Sequence, residues 1–93
     1  VTDLSETREA LASGADIIML DNMKPPMMRR ALSLIGDRAL VEASGNIDIS
    51  NIGEAAATGV DFISVGGLTH SAKAIDRSME VVSIWEKRNR KSR

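Results

Sequence analysis

Residues 17–22, Ile17-Ile18-Met19-Leu20-Asp21-Asn22, decide the fold. Four apolar side chains in succession give way to a carboxylate and an amide. A run this short and this uniformly apolar suits a strand covered on both faces, as in a parallel sheet. Its polar ending needs a separate reason. The same change occurs twice more: Ala39-Leu40-Val41 runs into Glu42, Ser44 and Gly45, and Phe62-Ile63 runs into Gly66-Gly67.

The segments between these runs read as helices. Asp3 with Glu6 three residues on forms a capping-box pattern, opening a helix with Leu4, Thr7 and Leu11 on one face, and Gly14 ends it. Pro25-Pro26 opens a second helix, since proline is tolerated in a first turn. Met28, Leu32 and Ile35 face inward from it, and Gly36 stops it. Strands are expected over Ile17–Leu20, Ala39–Ala43 and Phe62–Val65. Asp48 is expected to cap an alanine-rich helix from about Ile49 to Thr58, ended by Gly59. A last helix is expected from about Ala72 to Arg88, with Ile75, Met79 and Val82 inward. The basic tail, about residues 87–93, reads as a solvated end.

The order is α-β-α-β-α-β-α. Two stretches, from Gly14 to Asn22 and from Gly59 to Gly67, align without gaps 45 positions apart. Two strand–helix units fit that interval, so each takes roughly 22 residues. Alternating strands and helices imply parallel pairing with right-handed crossovers. Three parallel strands cannot hide both faces by themselves, and a (β/α)8 barrel typically takes ~250 residues. The fold class expected is therefore α/β: three βα units of a TIM-like barrel, the C-terminal portion of a larger enzyme.

Composition limits the function classes. The chain has 93 residues, 43% hydrophobic and 27% charged, with a net charge of −1. That balance suits a globular protein, and no global field recruits nucleic acid or an anionic membrane. Phe62 and Trp85 are the only aromatic residues, which leaves little for base stacking. With no cysteine, disulfides, thiolate nucleophiles and sulfur-held metals are excluded. No apolar run approaches the ~20 residues of a membrane span. The first residues lack the basic and apolar regions of a signal peptide, and a cytoplasmic setting is expected.

The polar strand ends now have their reason. In parallel α/β architectures the residues at the strand C-termini line the active site, so Asp21, Asn22, Glu42, Ser44, Gly45, Asn46, Gly66 and Gly67 are expected on one rim. Asp21 there could hold Mg²⁺, accept from sugar hydroxyls, or satisfy turn amides before the next helix. Ser44-Gly45-Asn46 and Gly66-Gly67 are short glycine loops, each expected to lead into a helix. Such loops bring backbone N–H groups close to an anion, although an ordinary tight turn has the same composition. Thr69, His70 and Ser71 follow, able to bind phosphate or to cap. A lone histidine makes neither a metal site nor a triad. The five methionines read as core filler, and Trp85 as packing or a subunit contact.

Gly14–Asn22, Val41–Ile47 and Thr58–Met79, in this order and spacing, resemble the C-terminal third of the quinolinate phosphoribosyltransferase family, also called nicotinate-nucleotide pyrophosphorylase (carboxylating). The resemblance covers nearly the whole chain and weakens in the basic tail. It implies transfer of the phosphoribosyl group of phosphoribosyl pyrophosphate to quinolinate, dependent on Mg²⁺. Decarboxylation then gives nicotinate mononucleotide for NAD synthesis. It also implies an open or irregular α/β barrel with an N-terminal sandwich domain, in a homodimer or higher homo-oligomer. Asp21 is similar to the family acid that serves the ribose and its magnesium. Ser44, Gly45 and Asn46 resemble one phosphate loop, and Gly66, Gly67 and Leu68 a second. His70 stands where other members vary, and Glu42 at a family glutamate near the site. The groups holding the quinolinate carboxylates, and the glutamate paired with Asp21, are expected upstream of Val1, so no activity is expected of residues 1–93 alone. Three other readings remain: another phosphate-binding barrel enzyme with a different acceptor, a non-catalytic module for a phosphorylated ligand, or a self-standing α/β scaffold whose polar strand ends are turns.

Overall fold

The computed structural model describes residues 1–75 and 77. Helices α1 (Leu4–Ala12), α2 (Pro25–Ile35) and α3 (Ile52–Ala57) alternate with strands β1 (Ile17–Asp21), β2 (Leu40–Ser44) and β3 (Phe62–Val65). A fourth strand, β4 (Leu68–Ser71), follows β3 directly. The sheet order is β1-β2-β3-β4; β1, β2 and β3 are parallel, and β4 is antiparallel to β3. The chain is thus a mixed α/β unit with a four-stranded, mostly parallel sheet.

Local chemistry accounts for the element ends. The Asp3 carboxylate accepts from the Glu6 N–H at 2.8 Å, satisfying an amide that a helix start leaves unpaired. Thr7 is fully buried beneath this turn, its hydroxyl donating to the Asp3 carbonyl. Pro25 opens α2 after Lys24, and Gly36 closes it by donating to the Leu32 carbonyl. Both β1 and β2 extend to the polar residue expected just beyond them, so Asp21 and Ser44 are the last rungs of their strands.

Two expectations are corrected. The third helix begins at Ile52 rather than Ile49, because Asp48 turns the chain instead of capping a helix. Its carboxylate accepts from the Ser50 N–H and hydroxyl, and its carbonyl from the Asn51 and Ile52 N–H groups. Ile49 is left 92% exposed on this turn. The second correction concerns residues 68–71, where a glycine loop and capping residues were expected to lead directly into the helix from Ala72; they form a strand instead. They pair with β3 as Leu68↔Val65, Thr69↔Ser64, His70↔Ile63 and Ser71↔Phe62. Gly66 and Gly67 have φ of 58° and 81°, the left-handed pair that a two-residue hairpin of the right twist requires. The helix starts at Ala72, where the Ser71 hydroxyl accepts from the Ala74 N–H. The expected inward positions Met79 and Val82, together with Trp85 and the basic tail, lie outside the described residues.

The core occupies one side of the sheet. Ile18 and Leu20 of β1, Val41 and Ala43 of β2 and Ile63 of β3 form one cluster with Met28, Ala31 and Ile35 of α2 and Ala55 of α3. Helix α1 packs on α2. The strands were expected to be covered on both faces, and here the opposite face is open. It carries Ile17 (58% exposed), Met19 (46%) and Leu40 (47%), with Glu42 and Phe62 half-buried beside them. Period-two alternation, hidden in the sequence because both sets are apolar, separates the two faces. Val1 adds a rung to the free edge of β1: its ammonium donates to the Met19 carbonyl at 2.7 Å, and its carbonyl accepts from the Asp21 N–H at 2.8 Å.

An open apolar face with unpaired edges favours association. The 93-residue chain expressed alone is expected to self-associate and to melt without a sharp transition. Sedimentation across a concentration series checks this, and a monodisperse monomer with a cooperative melt would count against it.

Candidate functional site

The site begins with the register of β1 and β2. Asp21 pairs with Ser44, the last residue of each strand, and Met19 pairs with Glu42 two residues below. Since side chains alternate, Asp21, Ser44 and Glu42 all rise from the open face. The Asp21 carboxylate is exposed, with its Oδ1 3.5 Å from the Ser44 hydroxyl, and Glu42 is half-buried diagonally below it. Backbone bonds on both sides fix the exit of β1: the Asp21 N–H donates to Val1, and the Asn22 N–H to the Ser44 carbonyl at 2.8 Å.

Both strands leave the sheet through left-handed residues: Asn22 has φ 56°, Gly45 83° and Asn46 53°. At Gly45 the reason is a close approach as well as a turn. A Cβ there would lie 2.7 Å from Asp21 Oδ1 and 2.9 Å from the Asn22 nitrogen. The 44–46 loop therefore lies directly against the β1 exit, and Asn46 Nδ2 donates to Asn22 Oδ1 across the gap. A cavity of about 190 Å³ opens between the loops, walled by Asn22, Lys24, Gly45, Asn46 and Asn51 over apolar Met28. A neighbouring hollow of about 430 Å³ is shared by Lys24 and Arg30.

The structure thus brings Asp21, Ser44, Gly45 and Asn46 together, with Glu42 below. Gly66 and Gly67 sit at the same end of the parallel sheet, at the tip of the β3–β4 hairpin. A helix N-terminus was expected behind them, but the helix begins beyond β4. A Cβ at either glycine meets nothing within 4 Å, so a side chain there would act through its left-handed backbone instead of by collision. Leu68 is 66% exposed at the hairpin tip, whereas exposed His70 lies two rungs below it. Sequence reasoning missed Lys24 and Asn51. Asn51 carried one signal, an amide residue just ahead of an alanine-rich helix, which ordinarily indicates capping.

Asp48 anchors the far side of the second loop. The Ser50 hydroxyl and N–H hold its carboxyl below the usual carboxylate value of 3.8, against an opposing effect of desolvation and with a lesser contribution from the Asn51 backbone. A folded-state value depressed in this way stabilises the turn above the unfolded value. That contribution is lost as the pH falls through the folded value.

Fold and rim together make this a mixed α/β protein with polar groups gathered at the carboxyl ends of its parallel strands, the place where such folds commonly bind ligands. The family model described as quinolinate phosphoribosyl transferase, C-terminal domain, matches residues 1–80, and the chain belongs to this family. It is 46% identical over 89 residues to a Methanocaldococcus jannaschii protein named "Probable nicotinate-nucleotide pyrophosphorylase (carboxylating)", covering 88% of this chain and 31% of that one. A Bacillus subtilis protein of the same name is 45% identical over 76 residues, covering 82% and 26%. The solved nicotinate-nucleotide pyrophosphorylase from Francisella tularensis superposes with a TM-score of 0.68 at 43% identity, over 76% of this chain and 27% of that one. The chain therefore spans between a quarter and a third of the length of the curated relatives it matches.

Two outcomes are expected. Gly45→Ala should destabilise the full-length polypeptide by about 1–3 kcal/mol, combining left-handed strain with a collision at Asp21. Denaturant unfolding measures this, and an unchanged midpoint would contradict the close approach. In a carboxyl NMR titration Asp48 should titrate below 3.8, moving back towards that value in Ser50→Ala.

Proposed function

We propose that this chain supplies the phosphoribosyl-handling part of an enzyme that makes nicotinate mononucleotide, pyrophosphate and CO₂ from quinolinate and phosphoribosyl pyrophosphate, for NAD synthesis. The observation that carries the reading is the pairing of Asp21 with Ser44, which sets a carboxylate beside the left-handed Gly45-Asn46 loop in a chain of this family. The share of each relative that the chain covers supports placing it within a longer polypeptide, as the C-terminal part of an open or irregular TIM-like barrel. The open sheet face would then line the barrel interior, under an additional N-terminal domain. A homodimer or higher homo-oligomer in the cytoplasm belongs to the same proposal.

Each residue has a task. Gly45 and Asn46 present backbone N–H groups to one phosphate of the donor, with Ser44 adding a hydroxyl. Gly66 and Gly67 offer a second turn to its other phosphate, bordered by Leu68, with His70 lower on the same strand. Lys24 places a positive charge on the cavity wall. As the bond between ribose and pyrophosphate breaks, positive charge grows on the sugar, and the Asp21 carboxylate stabilises that charge more than it stabilises the ground state. Glu42 extends the negative potential below it.

Mg²⁺ is part of the proposal. Among the described residues no three carboxylate or imidazole groups form a cage. Magnesium, however, is commonly held by one or two carboxylates together with substrate phosphates. Exposed Asp21 meets that requirement, and the ion would neutralise charge on the departing pyrophosphate.

The test is quinolinate-dependent pyrophosphate release by the full-length protein with Mg²⁺; no release sinks the assignment. Asp21→Asn keeps shape and removes charge, so it should lower kcat by about 10², close to 2.7 kcal/mol of transition-state stabilisation. A kcat within about threefold of wild type would make Asp21 a turn residue only.

A further inference from the structure

Helix α3 begins at an asparagine that does not cap it. Asn51 occupies the N-cap position, yet its side chain makes no bond to the amides of its own helix. Both ends of that side chain point back along the chain instead. Its Nδ2 donates to the Asn46 carbonyl at 2.7 Å, and its Oδ1 accepts from the Asp48 N–H at 2.8 Å. The amide orientation is fixed by these partners, since a flipped group would set nitrogen against N–H and oxygen against carbonyl. Asn51 is half-buried and lines the cavity between the two exit loops.

The segment it holds needs holding. Asn46 is a non-glycine residue at φ 53°, linked through its side chain to Asn22, itself at φ 56°. Left-handed conformations outside glycine persist only where their surroundings enforce them. On one side the β1 exit enforces this one, through the Asn22 contact and the Ser44 carbonyl. On the other side Asn51 does so, from an element anchored in the core by Ala55.

We propose that Asn51 is a positioning residue for the phosphate of the donor substrate: it ties the 44–46 loop to α3 so that the amides of Gly45 and Asn46 are aimed before the ligand arrives. This rests on the phosphoribosyl transfer assigned above and adds a group outside the loop itself. Preorganisation of this kind lowers the ordering required on binding, so its loss falls on donor affinity.

Asn51→Ser separates this role from a structural one. Serine is as good an N-cap as asparagine and carries no charge, so α3 keeps its start while the reach to Asn46 is lost. In the full-length enzyme the variant should raise the donor KM about tenfold, with the change falling on KM rather than kcat, the quinolinate KM near wild type and the melting temperature retained. Hydrogen exchange at residues 45–48 should quicken by a similar factor, which reads the tether without any activity assay. Asn51→Thr should behave alike, guarding against a folding defect peculiar to one variant. Unchanged exchange overturns the tether, and faster exchange with an unchanged donor KM reduces Asn51 to a structural role and overturns the proposal. An inactive wild type sinks the assigned reaction instead; an active wild type with an unaffected Asn51→Ser sinks this inference alone.

Discussion

The pairing of β1 with β2 is the constraint on which the rest depends. Five consecutive rungs, from Ile17↔Leu40 to Asp21↔Ser44, leave no freedom of register. A slip by one residue would exchange the two faces of β1, placing Asp21 in the core and Ile18 in water. The burial of Ile18, Leu20, Val41 and Ala43 against α2 therefore fixes where the carboxylate emerges. The position of Asp21 follows from the burial of hydrocarbon on the other side of the sheet.

From that register the rim is assembled by close approach more than by charge. Gly45 comes so near Asp21 and Asn22 that a single methyl group would collide with both. Left-handed residues on each loop let the chain turn sharply after its last rung. Amide–amide and amide–carbonyl bonds link Asn22, Asn46 and Asn51 across the gap. Such neutral bonds are individually modest, near 1 kcal/mol each. Linked together between two anchored elements, they hold an exposed loop in one shape.

Much of this was legible in the sequence. The three apolar runs located the parallel strands, Asp3 located a helix start, and the polar endings of the runs located the rim at Asp21, Ser44 and Gly45. What escaped did so for physical reasons. A glycine pair has the same composition in a phosphate loop and in a left-handed hairpin turn, so β4 was invisible beside Gly66-Gly67. Asp48 could cap a helix or close a turn, and the Ser50 N–H and hydroxyl, with the Asn51 N–H on its carbonyl, hold it in the turn. Asn51 sat where capping residues sit while its side chain reached elsewhere. The two faces of β1 were indistinguishable because Ile17 and Met19 are as apolar as Ile18 and Leu20.

That last ambiguity leaves a chemical label in the right place. Methionine oxidises to the sulfoxide at a rate that follows access to the sulfur, and two of the five methionines, Met19 and Met28, stand on opposite sides of the question. Met28 is 5% exposed beneath the helices and Met19 is 46% exposed on the open face. In dilute peroxide Met28 serves as an internal standard, and the ratio of the two sulfoxides reads how far the face is covered. Any assembly that closes over β1 would be recorded in the site-resolved oxidation of Met19.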